Sequence, residues 1–288
     1  MNSSINIRYY KPAIDGQTSC TISAQHDSIY VAGRYNKYSR TLSQTPWIID
    51  GVRKADVSVE ELIALPISKL VTSKNHVFIS SGREDVDVRT LGRGRPFVIE
   101  FRQPSRILYQ PEEFLTVQQE INMLTKDIRV RDLQQVTKEE SNQIKEGEEE
   151  KTKCYEALCY TDTQIDQIEL DQKFASISNS LIIEQKTPIR VLHRRTLMTR
   201  QRLISALSAI VIDPYHFRLR LTTQAGAYVK EFVHGDFGRT KPNLTIILNR
   251  FVDILELDVL AVNIDFPPML NNDNNENEND NFCDTNGK

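Results

Sequence analysis

The chain has 288 residues, 39% of them hydrophobic and 26% charged, which is the composition of an ordinary globular protein with a substantial core. It contains no apolar run of membrane-spanning length and no signal peptide at Met1, so we expect a soluble protein without a membrane partner. A reducing compartment fits, either the cytoplasm or the nucleus. The formal net charge of −3 argues against a nucleic-acid ligand, but residues 271 to 288 carry −4, which leaves +1 on the rest.

The four cysteines do not indicate a metal site. Cys20, Cys154, Cys159 and Cys283 form no Cys-x-x-Cys pair, and no clustered histidines complete a zinc ligand set. We therefore expect no bound metal.

The chain divides into three zones. Residues 1–30 have weak patterning, and residues 271–288 are rich in Asn, Asp and Glu with one aromatic residue. The second of these segments cannot bury enough apolar surface to offset the entropy of ordering, so we predict that it is disordered. Residues 31–270 mix helical and strand patterns, and we predict that they form the main domain.

In chain order, the patterns predict two helices and several strands. Ser58-Val59-Glu60-Glu61 is a capping box ahead of an apolar pair, and Glu112 to Leu124 has apolar residues at helical spacing. Strands are indicated at 77–79, 98–101, 128–133, 154–160, 217–221 and 257–262. Strands and helices joined by short or irregular loops favour an α+β domain with a largely antiparallel sheet.

The segment from Ser81 to Thr90 places acidic residues among basic ones directly after an apolar strand. Gly82 permits a tight turn, and Asp85 then stands where a scaffold presents side chains to a cleft. Four arginines surround Asp85 and Asp87, namely Arg83, Arg89, Arg93 and Arg95. Nearby positive charge favours the ionised form of an acid, so we expect both carboxylates to be charged. The segment indicates an active site, and the alternative is a solvated loop with ion pairs.

Basic and aromatic residues interleave in two further stretches, as they do in RNA-binding surfaces. The first stretch carries Arg34, Tyr35, Lys37, Tyr38 and Arg40. The second carries Arg190, His193, Arg194, Arg195, Arg200 and Arg202. The second stretch has almost no nearby acid, so it is the better candidate for salt-sensitive phosphate binding. The alternative is an exposed basic face without a ligand.

Six longer blocks extend these motifs along the chain: Ala32 to Arg40, Gln44 to Gly51, Gly82 to Pro96, Glu146 to Lys153, Val191 to Arg195 and Glu231 to Asn243. Through these blocks, the chain from Val31 to about Pro268 resembles the catalytic domain of the archaeal and eukaryotic tRNA pseudouridine synthases that modify the TΨC arm. The resemblance implies the pseudouridine synthase fold, with a split, mixed, largely antiparallel sheet, flanking helices and a central RNA cleft.

The resemblance assigns the chemistry to three residues. Asp85 matches the catalytic carboxylate that acts at the glycosidic carbon, with Asp87 as the fallback. Tyr155, in a Lys-x-Tyr-x-Ala pattern, matches the residue that stacks on the flipped base and removes the proton from carbon 5, with Tyr160 as the competitor. Lys230 ends a Gly-x-Tyr-x-basic motif and is expected to face Asp85 and hold one carboxylate oxygen. Without the resemblance, Tyr155 is a core tyrosine and Lys230 a solvated residue.

The resemblance also implies how the substrate is held. Substrate binding falls to Arg83, Tyr155, Tyr228 and Val229, of which Val229 forms a pocket wall. RNA binding falls to Arg34, Tyr35, Lys37, Arg40, Arg190, Arg194 and Arg195. These contacts must offset the unstacking of the extruded uridine, roughly a few kcal/mol. No cofactor is expected, because one pocket cuts, rotates and rejoins the base.

The implied function is isomerisation of uridine in the TΨC loop of tRNA, at position 55 with position 54 as a second candidate, by a monomer. The family's accessory RNA-binding domain has no counterpart in residues 1–30, which leaves open weak binding of whole tRNA or a different target uridine. The acidic run from Glu139 to Glu150 is expected to point away from the cleft or to organise basic residues. Two alternatives stay open, a non-catalytic protein that binds structured RNA and assists RNA processing, and an RNA chaperone activity alongside catalysis.

Overall fold

The computed structural model describes residues 5–9, 20–24, 26–145, 151–175, 177 and 180–270. The strands in these ranges are β1 (Ile5–Tyr9), β2 (Cys20–Ala24), β3 (Ile29–Lys37), β4 (Ile48–Ile49), β5 (Val52–Arg53), β6 (Asn75–Ser80), β7 (Arg89–Arg102), β8 (Ile128–Val136), β9 (Thr152–Thr161), β10 (Leu181–Lys186), β11 (Thr199–Asp213), β12 (His216–Gln224), β13 (Thr240–Lys241) and β14 (Val252–Val262). The α-helices are α1 (Val59–Val71), α2 (Pro111–Leu124), α3 (Lys138–Asn142), α4 (Gln167–Ala175), α5 (Val229–His234) and α6 (Leu244–Leu248). A 3₁₀ turn spans Ile189–Val191.

A ten-stranded sheet organises the described part of the chain. Its strand order is β13-β10-β11-β12-β9-β14-β7-β3-β8, and β6 pairs with β7. Every pairing in this sheet is antiparallel except that of β14 with β7, where Asp258 and Val259 lie opposite Arg89 and Thr90. This parallel seam splits the sheet into two halves. The predicted α+β class and the mixed, largely antiparallel sheet are therefore confirmed.

Two hydrophobic cores pack against the sheet. Strands β3, β7 and β8 pack on α1 and α2 through side chains such as Phe97, Ile63 and Phe114. The other half packs on α4, α5 and α6 through side chains such as Leu219 and Phe232. Burial of one such side chain stabilises the fold by about 1.5–3 kcal/mol. The second core also includes side chains of β3, β7 and β8, so it continues across the seam.

The predicted helices and strands are all present. The Ser58 hydroxyl accepts from the Glu61 backbone N–H at 3.3 Å and donates to the Glu61 carboxylate at 2.7 Å, which caps α1. Proline at the first position of α2 is preorganised for a helix, and the Glu113 carboxylate accepts from the Gln110 backbone N–H at 2.8 Å. The six predicted strands lie within β6, β7, β8, β9, β12 and β14.

Two expectations fall wholly or partly outside the described residues. The tail 271–288 lies outside them, as does the end of the acidic run at 146–150, whereas Glu139 and Glu140 lie in the short helix α3. None of the described helices is long and apolar enough to cross a membrane. Within the same ranges, no group of three or more His, Cys, Asp or Glu side chains is arranged to hold a metal ion.

Candidate active site

The loop between β6 and β7, residues 81–88, lies at the seam of the sheet and is called the acidic loop below. It runs directly into Arg89, the first residue of β7, which lies opposite Asp258 of β14. Gly82 has a φ of +83°, and a Cβ at this position would lie 2.5 Å from the Lys153 amine. The positive φ therefore favours glycine here, whereas the Lys153 amine is the end of a flexible side chain that can move aside.

A cavity of about 380 Å³ opens beside the acidic loop. Such a volume is typical of a site for a small molecule or a single nucleotide base. Nine residues that the sequence assigned to the site line this cavity: Arg83, Asp85, Tyr155, Arg190, Arg194, Arg195, Tyr228, Val229 and Lys230. Residues from the acidic loop, β9, the 3₁₀ turn and the start of α5 are thus brought together.

Asp85 lies within reach of two cations. Its Oδ2 atom accepts from the Arg190 guanidinium at 2.7 Å and lies 3.4 Å from the Lys230 amine. Lys230 therefore reaches Asp85 through one oxygen, as the sequence predicts. Its shorter contacts are with Asp87, at 2.9 and 2.7 Å. Partial burial acts to raise the pKa of Asp87, but the hydrogen bonds and charge of Lys230 hold that pKa below its ordinary value.

Three of the four arginines expected to hold Asp85 and Asp87 pair with other carboxylates. Arg89 binds both oxygens of Asp258, at 2.9 and 2.5 Å, and Arg95 pairs with Glu84 at 2.7 Å. Arg93 points toward Asp132 and Asp265. Arg83 is exposed at the cavity. The expectation about which cations hold Asp85 was wrong. Side chains that are close in sequence on a strand and loop point to different sides, whereas Arg190 and Lys230, which are distant in sequence, both reach Asp85.

Arg190 is oriented by a carboxylate that the sequence analysis missed. Its Nε atom donates to Glu231 at 2.7 Å, and Glu231 is buried in α5. Burial acts to lower the pKa of Arg190, but Glu231 and Asp85 raise it above its ordinary value. Arg190 thus bridges α5 and the acidic loop, and its predicted role in RNA binding stays a prediction. A glutamate followed directly by Phe232 and Val233 is the weak sequence signal that indicates a buried carboxylate.

Tyr155 lines the cavity from the strand next to the seam. It lies opposite Val259 of β14 and Leu221 of β12. Burial raises the pKa of its phenol, and the charge of Arg95 acts to lower it. Tyr160, five residues further along β9, faces the other side of the sheet and packs on His216 with 5.6 Å between ring centroids. Of these two tyrosines, Tyr155 is the one placed to contact a ligand.

A buried ionic network supports the floor of the cavity. Glu84 and Arg95 are 5% and 2% exposed, and the Tyr35 hydroxyl donates to Glu84 at 2.8 Å. Burial and the charge of Glu84 raise the pKa of Tyr35 well above its ordinary value. Gln44 donates to the Tyr35 oxygen at 2.8 Å and to the Gly82 carbonyl at 3.2 Å. This network fixes the start of the acidic loop, and sequence reasoning missed it because its members are far apart in the chain.

The structure corrects the RNA-binding role predicted for the first basic stretch. Arg34, Tyr35 and Lys37 are at most 1% exposed. The Arg34 guanidinium donates to five backbone carbonyls, those of residues 93, 94, 262, 264 and 266. Arg40 is partly buried and pairs with Glu256 and Asp258. Side chains that are buried and bonded in this way are not available to phosphates.

The second basic stretch lies at the cavity mouth. Arg194 and Arg195 are exposed and line the cavity. The Arg202 guanidinium lies behind Gly226, where a Cβ would be 3.2 Å from its Nε atom. Exposed guanidinium groups beside a cavity can bind phosphate oxygens in two-pronged fashion. The geometry therefore offers a phosphate surface on this side of the site.

The chain is similar in sequence to a protein family and to individual proteins along most of its length. Residues 30–263 match the family model described as Pus10, C-terminal. The chain is 52% identical over 262 residues to tRNA pseudouridine synthase Pus10 of Mus musculus, which covers 90% of this chain and 49% of the mouse protein. It is 37% identical over 241 residues to tRNA pseudouridine synthase Pus10 of Pyrococcus furiosus, covering 84% and 59% of the two. The chain thus spans about half the length of these curated relatives.

Among solved structures, the chain resembles a Cbf5-Nop10-Gar1 complex with a TM-score of 0.41 and 14% identity, covering 80% of this chain and 48% of that chain. It resembles a pseudouridylate synthase with a TM-score of 0.30 and 12% identity, covering 84% and 66% of the two. By the family model and the sequence relatives, this chain belongs to the Pus10 family and corresponds to the C-terminal part of its members.

Proposed function

We propose that this chain isomerises uridine to pseudouridine in tRNA, with Asp85 as the catalytic carboxylate. The observation that carries the proposal is that Asp85, Tyr155 and Lys230, which come from three separate elements, line one cavity. The names of the relatives, tRNA pseudouridine synthases, support the same activity. A protein that only bound RNA would have no need for a carboxylate held by two cations beside an aromatic ring.

The reaction is balanced within the substrate. The C1′–N1 bond breaks, a C1′–C5 bond forms, and one proton moves from C5 to N1. The carboxylate of Asp85 acts at C1′, either as nucleophile or by stabilising developing positive charge. Arg190 at 2.7 Å and Lys230 at 3.4 Å hold this carboxylate in one orientation. Preorganisation of this kind lowers the barrier, because little has to move when the bond breaks.

Tyr155 is the proposed acceptor of the C5 proton and a stacking surface for the flipped base. Burial raises the pKa of its phenol, so the hydroxyl carries its proton near pH 7. In the proposed relay the hydroxyl proton passes to N1 of the base while the oxygen takes the proton from C5, so the base gains one proton as it loses one and the tyrosine ends neutral. Such proton transfer contributes roughly 10²–10⁴-fold to rate. Val229 and Tyr228 form the facing wall. Phosphates flanking the target nucleotide bind Arg194 and Arg195, since both side chains are exposed at the mouth.

The proposed target is position 55 in the TΨC loop of tRNA, with position 54 as the second candidate. It rests on family membership alone, and the chain acts as a monomer in this proposal. Chemical mapping of pseudouridine in a tRNA transcript after reaction distinguishes the two positions.

The test is release of tritium from uridine C5 of an unmodified tRNA transcript. Wild type is expected to release tritium and Asp85→Asn to release none, with both variants folded. Asp87→Asn is the matched control, because it removes the same charge from the same loop and also contacts Lys230; it is expected to keep measurable release. Full release by Asp85→Asn would overturn the role of Asp85. Tight RNA binding by a wild type that releases nothing would instead support the non-catalytic RNA-binding alternative.

A further inference from the structure

A buried ammonium contacts the backbone of the acidic loop. Lys37 is the last residue of β3, and its side chain is fully buried. Its amine donates to the carbonyl of Leu42 at 2.8 Å, of Asp85 at 3.2 Å and of Val86 at 2.7 Å. One side chain therefore ties the end of β3 to two successive peptide groups of the acidic loop.

A second cation continues the same pattern. The Arg40 guanidinium donates to the carbonyl of Asp87 at 3.0 Å and to that of Leu257 in β14 at 3.0 Å. Its other nitrogen pairs with Glu256 at 2.7 Å and Asp258 at 2.8 Å. Arg40 thus ties the acidic loop to β14 across the seam.

Together, Lys37 and Arg40 bind the three successive carbonyls of residues 85–87, and we call these two side chains the carbonyl clamp. The Asp85 carbonyl also accepts from the Val88 backbone N–H at 3.1 Å, which closes the loop as a turn. Loop carbonyls are normally solvated, and charge-assisted bonds to them are stronger than neutral ones. A backbone fixed at residues 85–87 leaves only side-chain rotation to place the Asp85 carboxylate.

A buried ammonium costs folding free energy unless acceptors replace water around it. Two of the three acceptors of the Lys37 ammonium belong to the loop that carries Asp85. We propose that Lys37 and Arg40 are positioning residues for the isomerisation, which place Asp85 by holding the backbone carbonyls of the acidic loop. The proposal rests on the proposed catalytic role of Asp85.

The competing role for both residues is phosphate contact, and the two roles have different signatures. A positioning residue changes the rate of the chemical step at saturating RNA and leaves affinity alone. A phosphate contact changes RNA affinity and reduces the slope of log K against log salt by about one. The variants Lys37→Met and Arg40→Gln are therefore compared by single-turnover tritium release and by RNA binding at several salt concentrations.

We expect the single-turnover rate to fall about 100-fold in Lys37→Met and on the order of 10-fold in Arg40→Gln, since small misplacements of reacting groups carry losses of this size. The dissociation constant and salt slope stay at wild-type values. Arg194→Gln is the positive control for phosphate contact, and Arg106→Gln, which breaks an ion pair with Glu113 away from the cavity, controls for charge removal. A wild-type rate with a reduced salt slope in Arg40→Gln would overturn the proposal.

Amide hydrogen exchange keeps the test independent of activity and of folding defects. The Val88 amide, which donates to the Asp85 carbonyl, is expected to exchange faster in both variants, while amides of α2 keep wild-type protection. Unchanged Val88 exchange would overturn the proposal even if wild type released no tritium. Tritium release by wild type with unchanged rates in both variants would also overturn it, and would leave the proposed function standing.

Discussion

The two basic stretches of this chain look alike in sequence but lie in different environments, one inside the protein and one at its surface. Residues 34–40, the inner stretch, are largely buried, and their cations donate mainly to backbone carbonyls. Residues 190–202, the outer stretch, include exposed guanidinium groups at the cavity mouth. The inner stretch supports the site from inside, and the outer stretch is the one exposed to a ligand such as the proposed RNA.

The difference comes from position in the sheet. β3 lies between β7 and β8 and is buried on both faces, so a cation on it must find its acceptors inside the protein. The outer stretch connects β10 to β11 at the far end of the strand order, where solvent is near. The comparison shows that the acceptor, and not the density of positive charge, decides what a basic residue does.

The largest expected effect is on stability, from the inner stretch. Arg34→Met removes donors from five backbone carbonyls around the exit from β14. Unsatisfied buried acceptors cost about 1–3 kcal/mol each, so we expect a loss of at least about 3 kcal/mol in the free energy of unfolding. Urea denaturation measures it. The matched variant Arg195→Met should stay within about 0.5 kcal/mol of wild type, and equal losses in the two would contradict the comparison.

The fold was predictable where local patterns are strong. The capping box at Ser58 and the apolar spacing up to Leu124 predicted helices that the structure has at Val59–Val71 and Pro111–Leu124. The strand expected from Cys154 to Tyr160 lies within β9, and the alternation of side chains along a strand places Tyr155 and Tyr160 on opposite faces. These features depend on neighbours within a few residues, which a single sequence contains.

The site was predictable in its members and less so in their partners. The family motifs brought Asp85, Tyr155 and Lys230 to one cavity, but the pairing of Arg190 with Asp85 joins residues 105 positions apart. Burial of the inner stretch depends on which strands flank β3, and no local pattern contains that. Charged residues on a central strand therefore have the sequence signature of an exposed surface.

A roughly tenfold loss of single-turnover rate is expected when Arg190, the residue of the outer stretch that contacts Asp85, loses its carboxylate partner Glu231. Glu231→Gln removes the charge that orients Arg190, so the Asp85 carboxylate loses a fixed partner and the single-turnover rate falls about 10-fold. Glu156→Gln is the matched control, because Glu156 is a partly buried carboxylate that likewise binds arginine, in its case two arginines at 3.0 and 2.7 Å, on the strand face opposite to Tyr155. We expect it to keep the wild-type rate. Equal rates in the two variants would mean that Arg190 acts without Glu231.

The inner stretch should also give the reaction a basic pH limit. Burial lowers the pKa of Lys37 to about 8, and the charge of Arg95 also acts to lower it. The carboxylates of Glu84, Asp87 and Asp85 act to raise this pKa but do not offset the burial. Below this pKa the ammonium has three donors for three carbonyls, and above it the neutral amine has two. The single-turnover rate should therefore fall as pH rises past 8, by about tenfold at pH 9. Lys37→Met has a low rate throughout and should lack this limb. If the rate of wild type and that of Lys37→Met both fell in the same way above pH 8, the fall would belong to the titration of another group.

The smallest expected effect belongs to the outer stretch and concerns binding. Arg194→Gln and Arg195→Gln each remove one exposed cation, so each should weaken tRNA binding a few-fold and reduce the slope of log K against log salt by about one. Binding isotherms between 50 and 200 mM salt, on the order of the range where such slopes are large, measure this. Arg40→Gln, from the inner stretch, should leave the slope unchanged. A slope that falls equally in all three variants would mean that both stretches meet phosphate, because counterion release depends on contact with the RNA backbone and not on the net charge of the protein.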